Sequence, residues 1–346
     1  MCRYLLRRAL FALLLVFFVS SLSLRLVRLA PGDYASDLFG GIGANPALVA
    51  ATRARYGLDR PIAEQYAVWL GRAARLDFGD SLLYRRPVSE LIRQRAANTA
   101  ILAFAALLVA TFVGLPLGVV TGSRRDDSAA NELVSGIIVS TIRGASVLFL
   151  SVPPLLMALL LVFLAARTGW LPVGGMTSSG ATGSGFGIRD LGFGDSGFGV
   201  WAAWARDVAW HLPVPALALA LPIAAMLERL LAQSMAETIG APFILSAQAR
   251  GLSRDRIVWR HALRVALRPV ISIYGLIIGT LLSGSFMVEI ITAWPGLGRL
   301  TYDALRGRDV YLVAGCAAAG ALFLAIGSLI ADAAQVIVDP RLREGT

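Results

Sequence analysis

Six apolar stretches, each about 20 residues long, constrain this chain more than any other feature. They lie at about 9–29, 98–120, 144–166, 211–233, 269–291 and 310–336. A hydrocarbon layer about 30 Å thick takes about 20 helical residues to cross. The composition agrees: 57% of the 346 residues are hydrophobic, 16% are charged and the mean hydropathy is +0.69. A soluble domain carries roughly 25% charged residues. The expectation is an all-α membrane protein with six transmembrane helices. The first stretch follows Arg7 and Arg8, as a secretory leader would. Its apolar core runs on to Leu29 with no small-residue cleavage pattern before Pro31, so it reads as a retained anchor.

Charge sets the expected orientation. With the N-terminus inside, the inner segments hold fifteen arginines and the two short outer loops hold six. The segment at about 30–97 is too long to count strongly under the positive-inside rule. Both termini are therefore expected on the cytoplasmic side.

The basic residues are all arginine, and lysine is absent. A standard P-loop needs a lysine at the β/γ-phosphates, so ATP and Mg, if used, belong on another polypeptide. No cofactor is expected on this chain. The arginines flank apolar spans, which reads as membrane topology rather than nucleic-acid binding. Cys2 and Cys316 suggest no disulfide or metal framework. His211 and His261 fall on opposite membrane faces in this topology. No Gly-x-Ser-x-Gly or His-Glu-x-x-His occurs. No catalytic or metal residue is assigned, and an enzyme is not expected.

Residues 1–97 are expected to form an anchor plus a small external helical cap. One helical pattern begins at Asn45-Pro46 and runs through Tyr56. A second begins at Pro61, with Ile62, Tyr66, Trp69 and Leu70 on one face, and a third spans Val88 to Arg95. Residues 98–346 form the five-helix core. An insertion at about 174–199 holds ten glycines in 26 residues, and reads as an irregular outer loop. Asp332, about 22 residues into the last span and so near the inner interface, is assigned to snorkelling or pairing rather than proton transport.

A polar, basic loop at about 234–268 separates the fourth and fifth spans. Within it, Ser246 to Arg264 reads as a short helix, a break at Gly251 and a second helix starting near Ser253. Ser253 is placed as N-cap, with Asp255 in the first turn where the helix dipole favours an acid. In the fifth span Gly275, Gly279 and Ser283 repeat every four residues, with Gly284 beside them. Such small residues share one face and admit close approach of another backbone. Glu289 then precedes Pro295-Gly296, which punctuates the span, and Gly298, which keeps the turn tight.

The run Ala247-Gln-Ala-Arg-Gly-Leu-Ser253, followed by Arg260-His-Ala-Leu-Arg264, resembles the coupling loop of binding-protein-dependent ABC importer permeases. It is most similar to the dipeptide/oligopeptide branch. Tyr56-Gly-Leu-Asp-Arg-Pro61, Asp77-Phe-Gly-Asp-Ser81, Glu289 to Leu300, Arg308-Asp309 and Asp339-Pro-Arg-Leu-Arg343 resemble further segments of that branch. The first acid usual in the loop is replaced, since Leu245 and Ser246 stand there, and Arg264 replaces a later proline.

The resemblance implies a type I ABC importer permease fold with the cap between the first two spans. It implies a peptide substrate, a paralogous second permease, two cytoplasmic ATPases, an external substrate-binding protein and contact with membrane lipid. Ala247, Ala249, Arg250, Gly251, Leu252, Ser253, Asp255, Arg260 and His261 would couple to an ATPase. Gly275, Gly279, Ser283 and Gly284 would line the path or the permease interface, and Glu289, Pro295, Gly296 and Gly298 an outer gate. Importers of nickel or glutathione in the same class are the alternative. An ion-driven secondary transporter is a more distant one, since no repeat matches the Pro153-Pro154 break.

Overall fold

The computed structural model describes residues 2–29, 46–55, 59, 61–73, 75, 77–123, 132–178 and 198–338. Among these the regular elements are helices, and no strand forms beyond an isolated bridge between Asp80 and Pro87. Among the described residues, five helices are long and apolar enough to cross a membrane, or six if one bent pair counts as a span. The chain divides into two compact units. One is residues 1–100, 179–201 and 295–325, and the other is residues 101–178, 202–294 and 326–346.

In the first unit, α1 (Cys2–Leu29), α2 (Pro46–Arg55) and α3 (Ile62–Ala73) cover the anchor and two expected cap helices. Trp69 of α3 is buried with Leu24 of α1 and with Val310 and Ala314, so the expected apolar face is the one that packs. The tyrosine hydroxyl of Tyr66 meets Ser21 Oγ at 2.6 Å. The third expected cap helix is not separate. Val88 opens α4 (Val88–Ser123), 36 residues of unbroken helix that includes the second span. No glycine or proline interrupts 88–100, so the helix simply continues. Asn45 and Tyr56 lie outside the described residues, as do 179–197 and 339–346.

Asp309 anchors a second cluster in this unit. It is fully buried just before α14 (Val310–Val338). Its Oδ2 accepts the Ser81 hydroxyl at 2.6 Å and the Leu83 N–H at 3.0 Å, and its Oδ1 accepts the Leu312 N–H at 3.1 Å. Burial raises its carboxyl above the usual range, while these donors pull the other way.

The second unit is built around α8 (Pro213–Ile239), whose Ala218, Leu219, Leu227 and Leu231 are buried. The expected third span at 144–166 is broken. α5 (Glu132–Ser151) and α6 (Pro154–Thr168) meet at 108°. Pro153 is extended (φ −59°, ψ 148°) and Pro154 takes the first helical position, so consecutive prolines end one helix and start the next. Glycines let α4 close on α8. A Cβ added at Gly114 would stand 2.6 Å from the Ala224 carbonyl oxygen, and one at Gly122 would stand 2.5 Å from that of Ala232. α7 (Phe198–His211) precedes α8. His211 Nδ1 lies 2.8 Å from the Asp207 carbonyl, while the Asp207 carboxylate accepts the Ser178 hydroxyl at 2.6 Å.

Candidate coupling loop and path-lining helix

The loop after α8 begins with Pro242, which holds the first position of α9 (Pro242–Ala249). α9 ends as its sequence suggests. The Gly251 N–H donates to the Gln248 carbonyl at 2.8 Å, and the Leu252 N–H reaches back to Ala247 at 3.3 Å. These two bonds around a left-handed glycine (φ +74°) form a Schellman cap. Leu252 packs on the core cluster that contains Ala247, the apolar contact that accompanies this cap. Nothing lies within 4 Å of a Cβ added at Gly251, so the glycine serves the backbone and not a crowded neighbour.

Ser253 occupies the N-cap position in an extended conformation, but its hydroxyl makes no capping bond. Instead its carbonyl accepts the Ile257 N–H at 3.0 Å. Asp255 sits in the first turn of α10 (Arg254–Arg256). A π-helical stretch, Ile257–Ala262, follows and carries Arg260 and His261. It leads into α11 (Leu263–Ser272). Stretches of π-helix occur often at functional sites.

The outward faces of this loop are basic and apolar. Arg250, Leu252, Arg256, Arg260 and His261 line one hollow of about 360 Å³. Ala249, Arg250, Ser253 and Asp255 are exposed, whereas Ala247 is buried within the fold. The Arg254 guanidinium donates to the carbonyl of Ser123 at the end of α4, at 3.2 Å. Phe243, Leu245 and Trp259 are also exposed. Phe243 and Trp259 are not among the expected coupling residues, and their signal in the sequence is that of large apolar side chains in a basic loop.

The fifth span is α12 (Tyr274–Ile291), which starts after a break at Ile273. Ile277, Leu281, Ser285 and Val288 face the bundle and are buried. Gly275 and Gly279 are half-buried, and Ser283 is exposed on a face with Leu276 and Met287. Their stripe thus faces away from the packed core of its own unit. Gly284 turns the other way: a Cβ there would lie 3.3 Å from Leu219 and 3.7 Å from Pro154. The Thr111 and Tyr274 hydroxyls pair at 2.9 Å near the start of the helix.

Glu289 is fully buried near the end of α12. Gly174 closes on this end, with its added Cβ 2.6 Å from the Thr292 carbonyl oxygen. In the first unit, Pro295-Gly296 forms the turn ahead of α13 (Leu297–Arg306). The backbone groups of this turn are satisfied from α4. Asn98 Nδ2 donates to the Pro295 carbonyl at 2.8 Å, and the Leu297 N–H donates to Thr99 Oγ1 at 2.8 Å. Gly296 is the N-cap and accepts the Leu300 N–H at 3.1 Å, while Gly298 is buried.

His211 and His261 belong to these two different settings, α7 and the loop. Among the described residues, no group of three or more His, Cys, Asp or Glu could hold a metal ion. Asp332 lies in α14, but its side chain is outside the described residues, as are Phe186, Asp190 and the other side chains of the glycine-rich insertion at 179–197.

Comparison with known proteins agrees with this architecture. The family model described as "Binding-protein-dependent transport system inner membrane component" matches residues 114–344. Its N-terminal companion, for membrane components of the same systems, matches residues 1–103. The oligopeptide transport system permease protein AppB of Bacillus subtilis (strain 168) is 32% identical over 348 residues, covering 99% of each chain. The dipeptide transport system permease protein DppB of Escherichia coli (strain K12) is 31% identical over 337 residues, 94% of each. The di/tripeptide transport system permease protein DppB of Pseudomonas aeruginosa (strain UCBPP-PA14) is 30% identical over 331 residues, again 94% of each. With both family models matched and likeness running the length of the chain, this multi-pass membrane protein belongs to the inner-membrane permease components of binding-protein-dependent transport systems.

Proposed function

We propose that this chain is one permease subunit of an ATP-driven importer of dipeptides or oligopeptides. Its partners would be a paralogous permease, two cytoplasmic ATPases that bind ATP and Mg, and an external substrate-binding protein. The peptide class follows the names of the oligopeptide, dipeptide and di/tripeptide permeases to which nearly the whole chain is similar. The coupling role rests on one observation: the Gly251 cap presents a rigid helix–turn–helix whose outer faces carry arginines and large apolar side chains. That surface suits insertion into a groove of an ATPase. The exposed stripe of Gly275, Gly279 and Ser283 suits the partner permease or the path between the two. In the second unit, the buried Glu289 is a candidate for an outer gate; in the first unit, the Pro295-Gly296 turn ahead of α13 is a separate candidate for the same role.

The test is to purify the complex through a tag on this subunit and identify what accompanies it. Reconstituted with its binding protein, it should accumulate a peptide such as trialanine only when ATP is supplied. A subunit that purifies without an ATPase, or uptake driven by an ion gradient alone, would replace this reading with a secondary transporter.

A further inference from the structure

α5 and α8 flank a second cavity of about 360 Å³, open along one side and away from the basic hollow of the loop. Its walls combine Arg143 and Ser146 from α5 with Glu228, Arg229 and Gln233 from α8, and Val147 and Leu150 supply an apolar side. The volume is in the range of small-molecule sites, about 300–1,000 Å³. The polar groups are unexpected at this place. α8 is the most buried helix of the unit, and Glu228 sits in its core with only 2% of its surface exposed. Its Oε1 accepts the Thr121 hydroxyl at 2.6 Å, a short charge-assisted bond that holds the carboxylate at the cavity wall. Arg143, whose guanidinium reaches the Thr121 carbonyl at 3.4 Å, comes from the facing helix. A carboxylate buried this far is costly, and packing alone does not require it, whereas Arg143, Arg229 and Gln233 stand exposed at the rim.

The cavity therefore presents a carboxylate, two guanidiniums, a hydroxyl and an amide around a partly apolar space. An ammonium fits the carboxylate, a carboxylate fits the guanidiniums, and peptide groups fit Ser146 and Gln233. We propose that this cavity is a transient site for a zwitterionic peptide, with its N-terminal ammonium at Glu228 and its C-terminal carboxylate at Arg143 and Arg229. The inference rests on the peptide-importer reading and assigns residues to it that neither the stripe of α12 nor the coupling loop supplies. The site lies at the end of α4 that Arg254 ties to the loop, so motion of the loop would reach Thr121 and the cavity wall together.

The experiment uses the whole detergent-solubilised complex, so ligand reaches the cavity from either side. Cysteine replaces Val147, an exposed residue of the cavity, in a Cys2→Ser background, and its alkylation by a small maleimide is timed. Trialanine should slow labelling, and N-acetyl-trialanine amide, with both charges removed, should not. Cysteine at Phe163, exposed on α6, should label at an unchanged rate with either. Glu228→Gln should raise the half-protecting trialanine concentration about ten-fold, the size of one hydrogen bond to a charged group. Arg143→Gln, at an exposed side chain, should do the same and serves if Glu228→Gln does not assemble. Equal protection by the uncharged analogue overturns the site, as does no protection in a complex whose proteoliposomes take up trialanine. Failure of the wild-type complex to take up trialanine or any other peptide overturns the peptide reading itself and the inference with it.

Discussion

Gly118 lies so close to Glu228 that a β-carbon on the glycine would stand 2.8 Å from the Glu228 carbonyl oxygen. With Gly114 and Gly122 it forms a run of glycines at four-residue spacing that meets successive turns of α8. Backbone cannot yield as a flexible side chain can. Gly118→Val should therefore destabilise the second unit by about 1–3 kcal/mol, the usual cost of overpacking. Thermal unfolding of the purified complex should show the loss, and Gly136→Ala, where nothing lies within 4 Å, should show little.

Asp309 gathers Ser81, Leu83 and Leu312 around one buried carboxylate. Asp309→Ala should cost more than Ser81→Ala, because each buried donor left alone costs about 1–3 kcal/mol. Its folded carboxyl titrates above the 3.8 of an unperturbed one. The folded state thus takes up a proton before the unfolded state does. Lowering pH through that interval should strengthen the first unit, and Asp309→Asn should remove that gain. Unfolding followed against pH in both proteins checks the sign.

The proposed orientation has a direct chemical test. Cysteines at the exposed Asp80 and Trp170 should react with an impermeant thiol reagent added to intact cells. A cysteine at the exposed Ser253 should react only after the membrane is opened. Labelling of Ser253→Cys in intact cells would invert the topology.

Gly279→Leu should abolish most uptake, while Leu276→Ile, at an exposed side chain beside it, should be tolerated. Cysteine at Ser283 should change its reactivity when ATP is added to the assembled transporter. Normal uptake by Gly279→Leu together with an unresponsive Ser283→Cys would return this stripe to simple packing.

Much of the fold could be read from the sequence because lipid imposes a length rule on every span. The Pro61 start of the second cap helix and the Gly251 break were legible for a local reason: each depends on one backbone property of one residue. Two features were less legible. Val88–Arg95 looks like a separate short helix until tertiary structure shows that nothing ends it. The 108° bend came from Pro153-Pro154, which the sequence showed, but its size depends on the partners that α5 and α6 find. At the candidate sites, Gly114, Gly118 and Gly122 carried a four-residue signal as plain as that of α12 and were passed over. Glu228 lies within the fourth apolar stretch, and only its burial beside Thr121 marks it out. Ser253 carried a capping signal that its hydroxyl does not use, although its backbone takes the extended N-cap conformation and its carbonyl accepts the first helical N–H.

The central claim is that the Gly251 loop carries ATPase motion into the permease, and the coupling ratio of the reconstituted complex tests it most directly. A side chain at φ +74° meets a backbone penalty of about 1–2 kcal/mol, and a β-branched one meets more. No neighbour in this chain blocks the added atoms, so insertion and core packing should survive. For Gly251→Val the account predicts continuing ATP hydrolysis with a clearly lower peptide uptake per ATP, because the strained turn no longer holds the loop in its present shape. An unchanged ratio of uptake to hydrolysis, in a complex of normal composition, would contradict it.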